Sequence, residues 1–517
     1  MTTGAISRSV DSELPTRAAP RGLGGACAIG VTIFALVLLL PGTAGKGPEM
    51  DEGAVVAYSA RVLDGAVPHR DFLTFYGPGN LWLIAGSFEV FGSSVGAERA
   101  VGLLYRILIV LSLFALARRM AGLVAAVLAG LLAASIMAEE LIWAYATYGA
   151  IAFGLVGLAL AAWGASSATR RQTLLLFSAG AAGGVAVLMR LDFAPAVVVS
   201  VLPLLLFVPA RSRMWYGVGL LATAVLYVPH LVIVGPERVS RVVSDLIAGG
   251  PGRRLPIPRP WVYPGSLLLA SILVTALLVL LGVVLWRRGP RDLTGRVLLS
   301  TGLFSVGVLP WTLSRAEVFH IRPFALVPLS LLPAVALLLA RSVGVSSRVR
   351  TALGVVIVVV SLLGVLNARQ HALHGFSELR GIQHAYRGFY DDDSGAGAVV
   401  ARAGRLARTG DSLFVGPQDL RRTNYGPTYM YFLLPQLRPA SYYMEMNPLT
   451  ANREGSGLAG ELRRADWLIL TSAWDDWNEP NESSKLGSSE PNDVVRSKFC
   501  LRSESGEYRL YERCRRV

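Results

Sequence analysis

The chain has 517 residues, of which 53% are hydrophobic and only 16% charged, with a net charge of +14 and a mean hydropathy of +0.49. Soluble domains carry nearer a quarter charged residues, so a soluble enzyme of this size is excluded. A nucleic-acid surface is excluded by how the charge is spread. From Arg369 onward 20 basic residues meet 19 acidic ones, which leaves 29 of the 49 basic but only 16 of the 35 acidic residues upstream, in short loops between apolar runs. That pattern is the orientation charge of a membrane protein.

The polar N-terminus carries Arg8, Arg17 and Arg21 and leads into an apolar run with no small-residue cleavage site, which reads as a retained span rather than a removed signal peptide. Apolar runs follow at about 26–44, 99–117, 121–138, 148–165, 173–189, 192–209, 214–234, 264–286, 297–313, 323–340 and 351–367, each long enough to cross a bilayer as a helix. The expected fold is therefore an α-helical polytopic membrane protein of about eleven spans with a C-terminal α/β domain. Residues 1–25 form a cytoplasmic tail, 26–367 the membrane domain and 368–517 the extracytoplasmic domain. With the N-terminus in the cytoplasm, the inside loops hold Arg118 and Arg119, Arg170 and Arg171, Arg211 and Arg213, Arg287 to Arg296, and Arg341 to Arg350. Every inside loop is then basic, and the tail lies outside.

The outer face collects the chemistry. Its largest segment, 45–98, contains EMDEGAVVAYSARVLDGAVPHRDFLTFYGPGN. Asp51 stands in N-cap position before a helix over 53–63, Asp64-Gly65 ends that helix, and 81–91 forms a second amphipathic segment. A carboxylate here, partly buried, suits general-base work on a polar substrate. Its plain alternative is a helix cap. Glu139 and Glu140 with Trp143 and Tyr145 form the next outer turn. Arg190 sits in a tight link between two apolar spans, where a charge needs a reason. The 235–263 loop, with Arg253-Arg254 and prolines at 256, 258 and 260, reads as a mobile basic flap. Arg315, Glu317, His320 and Arg322 share a short loop.

In the tail, 398–407 and 457–464 read as helices, and 411–415 and 466–471 as strands. Residues 499–502 and 508–512 make a closing hairpin, and 483–493 a loose polar loop. Cys500 and Cys514 flank the hairpin and form either a disulfide or two free thiols. Cys27 is a small core residue of the first span.

The stretch MDEGAVVAYSARVLDGAVPHRDFLTFYGPG resembles the first outer loop of membrane glycosyltransferases with the GT-C fold. Nearest are the bacterial protein mannosyltransferases and the aminoarabinose transferases of lipid A (glycosyltransferase family 39-like). Asp51-Glu52, Tyr58 with Arg61 and Gly65, Asp71-Phe72 and Pro78 match the family pattern, and His320 with Pro323 matches a later His-x-x-Pro. The resemblance implies a polyprenyl-phosphate sugar donor, and a protein, lipid or polysaccharide acceptor at the membrane surface. Asp51 and Glu52 are the implied catalytic acids, Asp51 being the base and the transfer inverting. The family's lysine ahead of the proline turn is absent, because this chain has Tyr76-Gly77-Pro78. The donor and its phosphate then fall to Tyr58, Arg61, Asp71, Tyr76, Glu140, Arg190, Arg253, Arg254, Arg315, His320 and Arg322. No cofactor is required, although a divalent metal on Asp51, Glu140 and His320 is left open. Two rival readings share the scaffold. One is a flippase of a lipid-linked glycan, which would place charges in the middle of several spans, whereas here Arg106 is the main such charge. The other is a noncatalytic envelope-assembly protein.

Overall fold

A computed structural model describes residues 22–43, 47, 50–138, 141–249, 251–342, 359, 395–422, 426–446 and 450–514. The helices run α1 Leu23–Leu39, α2 Asp51–Leu63, α3 Pro78–Phe91, α4 Val95–Ala121, α5 Leu123–Met137, α6 Ala146–Gly164 and α7 Thr169–Met189. They continue as α8 Ala194–Leu205, α9 Ala210–Val234, α10 Pro236–Gly249, α11 Gly265–Arg288, α12 Leu293–Ser314, α13 Val318–Ser330 and α14 Leu332–Ser342.

Among the described residues, eight helices are long and apolar enough to cross a membrane, and α5 and α8 are shorter apolar helices. Ten of the expected spans thus form helices. The eleventh, 351–367, lies outside the described residues apart from Val359. The protein is a multi-pass membrane protein. Its inner core is a continuous apolar cluster drawn from α1, α4, α5, α6, α8, α12 and α13. Leucines and valines of α9 and α11 stay outward and exposed, as a lipid-facing surface requires.

Two helices of the first loop join the edge of the inner core, through Val55 and Val56 of α2 and Ile84 and Phe88 of α3. In α2, Asp51 and Glu52 occupy the first turn and Arg61 the last, which complements the helix dipole. Met50, not Asp51, is its N-cap, and no side chain caps it, so the expected capping role of Asp51 is not what is found. In α3, Pro78 sits at the start, where its missing N–H costs nothing, and Gly92 ends the helix at φ 83°. The 235–263 segment is not simply a loose flap. Residues 236–249 form α10, and Arg238 Nη1 donates to the Arg70 carbonyl at 2.6 Å.

The tail domain is a five-stranded sheet in the order β2-β1-β3-β5-β4, built from β1 Ser412–Pro417, β2 Arg438–Pro439, β3 Trp467–Thr471, β4 Phe499–Ser505 and β5 Tyr508–Arg513. β2, β1 and β3 are parallel, while β5 runs antiparallel to both β3 and β4. Side chains alternate across the sheet. Leu413, Val415, Trp467, Ile469 and Leu510 join one apolar layer, and Phe414, Leu468 and Leu470 the other. The second layer is closed by helices Leu458–Leu462 and Glu490–Lys498, so much of the expected loose loop 483–493 is helical. Cys500 and Cys514 form a disulfide.

The first layer is the one that positions the site. It continues through Tyr429, Met430 and Tyr431 into Ala54, Ala57 and Tyr58 of α2 and then Phe72 and Leu81. A Cβ on Gly53 would lie 2.8 Å from the Tyr429 nitrogen, so the two backbones touch there. The acid-bearing loop and the tail domain are packed together at one end of the bundle.

Candidate active site

The head of α2 is held from below by two adjacent residues of α4. Arg99 donates to both Glu52 oxygens, Nε to Oε1 at 2.7 Å and Nη2 to Oε2 at 3.0 Å, and its Nη1 reaches the Thr43 carbonyl at 2.8 Å. The side chains of this pair are 4% and 0% exposed. Glu98, also buried, accepts from the Ala144 amide. One turn of α4 therefore fixes the end of α1, the start of α2 and the 141–145 segment. Glu52 is sequestered in an ion pair, so its surroundings do not match the second catalytic acid expected from the motif. Asp51, its neighbour, is half-buried at the opening turn.

The Tyr-Gly-Pro-Gly turn approaches α7. The Gly77 amide donates to the Met189 carbonyl at 3.0 Å, and a Cβ on Gly77 would lie 2.1 Å from the Leu188 carbonyl oxygen. Only glycine allows that contact. It brings Tyr76 beside the end of α7, where Arg190 follows. Arg190 grips Asp192 at 3.0 and 2.8 Å, donates to Thr147 Oγ1 at 3.2 Å and lies 5.3 Å over the Trp311 ring. Burial works against its charge, but Asp192 more than offsets that and holds the guanidinium protonated.

Aromatic rings connect these pieces. Tyr76 meets Tyr145 edge-on at 6.3 Å, Tyr145 stacks on Trp143 at 4.7 Å, and Trp311 stacks on His320 at 4.6 Å. Burial raises the Tyr76 phenol well above its ordinary range, and Tyr145, Asp51 and Glu445 add to the rise while Arg190 opposes it. Tyr145 is raised by burial as well, with Arg190 and Thr147 pulling it down and Asp51 and Glu317 pushing it up. Asp51 and Arg190 thus share one electrostatic neighbourhood.

A second group of charges borders it. Arg315 donates to Glu317 Oε1 at 2.9 Å and to both oxygens of Glu479 at 3.1 and 2.5 Å. His320 Nδ1 lies 3.3 Å from Glu317 Oε1. Burial would raise Glu317, but His320 and Arg315 hold it down at about 2. Arg253 lies 4.9 Å over the Phe75 ring, and its buried Nε has no hydrogen-bond partner among the described residues. Burial lowers its pKa, and the carboxylate of Glu445 counters that.

Asp51, Tyr76, Arg190, Arg253, Arg315 and His320 are therefore brought together. The other expected site residues are placed differently. Tyr58 is fully buried, stacks on Phe72 at 4.6 Å and reaches Glu445 Oε2 at 3.4 Å. Arg61 donates to the Leu437 carbonyl at 2.6 Å, which ties α2 to the tail domain. Asp71 is exposed, paired with Arg70, and accepts from the Val67 amide at 2.7 Å, so it staples its own loop. Arg254 is exposed, and Arg322 donates to the Tyr263 hydroxyl at 3.1 Å. Glu139 and Glu140 lie outside the described residues. Arg106 is fully buried and bonds the carbonyls of Gly102, Trp143 and Leu141 at 3.1, 2.5 and 3.4 Å, a packing role rather than a transport path. Among the described residues no group of three or more His, Cys, Asp or Glu is placed to hold a metal.

Sequence reasoning missed Arg99, Trp311, Glu445, Glu479 and Asn481. Only Arg99 left a signal, as an ionisable residue at the start of an apolar run.

Residues 76–233 match the family model of dolichyl-phosphate-mannose-protein mannosyltransferases, less than half of the chain. Comparison with curated protein sequences finds no match. The solved structure of ArnT from Cupriavidus metallidurans bound to undecaprenyl phosphate is similar with a TM-score of 0.52 at 14% identity, over 95% of this chain and 97% of that one. Its apo state gives 0.54 at 14% identity, over 95% and 98%. The apo oligosaccharyltransferase of Archaeoglobus fulgidus gives 0.51 at 12% identity, over 94% of this chain and 74% of that one. At these identities the likeness establishes the architecture.

Proposed function

From the GT-C fold of membrane glycosyltransferases, which this chain has, we propose that the protein is an inverting glycosyltransferase. It moves a sugar from a polyprenyl-phosphate donor to an acceptor hydroxyl on the extracytoplasmic face. The observation that carries this reading is the gathering of one carboxylate, Asp51, and three half-buried arginines into one electrostatic neighbourhood around Tyr76 and Tyr145. Asp51 takes the acceptor proton, and the freed oxygen attacks the anomeric carbon. The lipid phosphate leaves from the opposite face of the sugar, so the configuration inverts. Arg190, Arg253 and Arg315 stabilise the charge that develops on the leaving phosphate. Arg253 suits this best, because its buried Nε–H is still unbonded among the described residues and an anion would satisfy it. This partly replaces the lysine missing ahead of Pro78. Arginine supplies the positive charge, so the reading calls for no cofactor. Two observations support a lipid-phosphate donor. One is the match over 76–233 to dolichyl-phosphate-mannose-dependent transferases, and the other is the undecaprenyl phosphate bound by a protein of the same fold.

The test is transfer by the purified full chain from polyprenyl-phosphate sugars to glycan and protein acceptors, with NMR of the product anomer. Release of polyprenyl phosphate and an inverted anomer is expected. Retention of configuration, or no release with any donor, overturns the proposal. Reporter fusions should place Arg171 and Arg288 in the cytoplasm and positions after Leu420 outside.

A further inference from the structure

The tail domain contributes a loop to the charge cluster, and the loop ends on an anion. Residues 472–484 leave β3 and reach back to the membrane domain. Glu479 makes the bidentate contact with Arg315 at 3.1 and 2.5 Å, and the two side chains are only 15% and 20% exposed. Asn481 Nδ2 donates both to Glu479 Oε2 at 2.8 Å and to the Arg253 carbonyl at 3.2 Å. Asn481 thus links the Arg253 backbone to the carboxylate that holds Arg315.

The two edges of the Arg315 guanidinium are held by different partners. Nε is fixed by Glu317, which lies two residues away on the same short loop. Nη1 and Nη2 are held by Glu479, which lies 164 residues away on another domain. If Glu479 departs, Arg315 keeps its position through Glu317 and presents a free two-pronged edge. A planar carboxylate and a phosphate are recognised by that edge in the same way.

We infer that Glu479 holds the place of the donor phosphate on Arg315, and that donor binding displaces it and releases the 472–484 loop. The inference rests on the donor class proposed above and adds a positioning residue to it. While Glu317 holds the Nε edge of Arg315, Glu479 compensates the charge of the Nη edge until the donor binds. Its departure, with Asn481, also frees the backbone of Arg253. Donor occupancy therefore opens the tail-domain side of the site, from which the acceptor then enters.

The experiment is equilibrium binding of undecaprenyl phosphate, with undecaprenol as the phosphate-free control, to the full chain in detergent. Glu479→Gln keeps the shape but removes the competing charge, and it should bind undecaprenyl phosphate about tenfold more tightly, the ratio one charge-assisted contact is worth. The gain should vanish in an Arg315→Gln background. In the wild type, undecaprenyl phosphate should speed hydrogen exchange across 472–484. Unchanged or weaker binding by Glu479→Gln, or unchanged exchange in that loop, overturns the displacement while leaving the donor assignment intact. Failure of both proteins to prefer undecaprenyl phosphate over undecaprenol overturns both.

Discussion

Asp51 and Arg190 act with opposite sign on the same two phenols, Tyr76 and Tyr145. The two residues, proposed above as base and phosphate-stabilising cation, are 139 positions apart in the chain and share this neighbourhood because Gly77 lets the first loop touch the end of α7. Asp51 is not the N-cap of α2, so Asp51→Asn should leave the fold intact. Turnover should fall by roughly a hundred- to ten-thousand-fold, the share of a positioned base. Single-turnover transfer from a polyprenyl-phosphate sugar measures this, and near-normal turnover removes Asp51 from the mechanism.

The Glu52–Arg99 pair should behave as structure. Arg99→Ala leaves Glu52 buried without its partner, and breaking such a pair costs about 3–5 kcal/mol. Thermal unfolding of the purified protein should register that loss. Replacing both partners by apolar residues, Glu52→Leu with Arg99→Met, should recover much of the stability and retain measurable transfer. A double variant that is stable but inert would return Glu52 to the catalytic group.

Donor use should depend on Arg190 and Arg253 separately. Arg190→Lys keeps the charge but cannot reproduce the two-pronged grip on Asp192, so KM for the donor should rise. Arg253→Gln should lower kcat by about tenfold or more by removing charge at the leaving phosphate. Arg254→Gln, at an exposed position, is the control and should leave both constants near wild type. An equal loss at Arg254 would show that the flap acts through its overall charge.

His69 supplies a pH dependence. It packs against His230, Nδ1 to Nε2 at 3.1 Å, at a backbone φ of 68°. Burial, helped by His230, lowers its pKa from 6.5 to about 4. The folded loop disfavours the protonated ring, so the stability His69 contributes is full above about pH 6.5. It is lost as the pH falls from 6.5 towards 4, because the unfolded chain takes up the proton first. Unfolding midpoints measured across that window should fall in the wild type. His69→Asn, which tolerates the left-handed backbone, should flatten the curve. An unaltered slope would assign it to other groups.

Much of this architecture is legible in the residues. The spans follow from apolar length, and the tail strands from short apolar runs with turn residues between them. The β4–β5 hairpin follows from two alternating runs around Glu504-Ser-Gly. The cap of α2 stands one position earlier than expected, at Met50, because Asp and Glu favour both the cap and the first turn. Residues 490–493, the first turn of the helix Glu490–Lys498, read as part of a loop because a polar helix has little apolar stripe to announce it. Of the gathered side chains, Asp51 and His320 stand in local motifs and Arg190, Arg253 and Arg315 stand out as charges between apolar runs, but their partners do not. Glu52 finds Arg99 47 positions away, Arg315 finds Glu479 164 away, and Tyr58 finds Glu445 387 away. Nothing local in a sequence encodes such pairings.

The shared layer between α2 and the tail domain also governs assembly order. Ala54, Ala57 and Tyr58 emerge from the ribosome hundreds of residues before Tyr429, Met430 and Tyr431, which cover them. Until the tail domain has been made and docked, that face of α2 lies bare. A chain halted before residue 395 can insert its helices without completing the ground on which Asp51 stands. On the function proposed above, activity would be withheld from partly synthesised chains, and a lesion in the tail domain should appear first as an α2 accessible to protease.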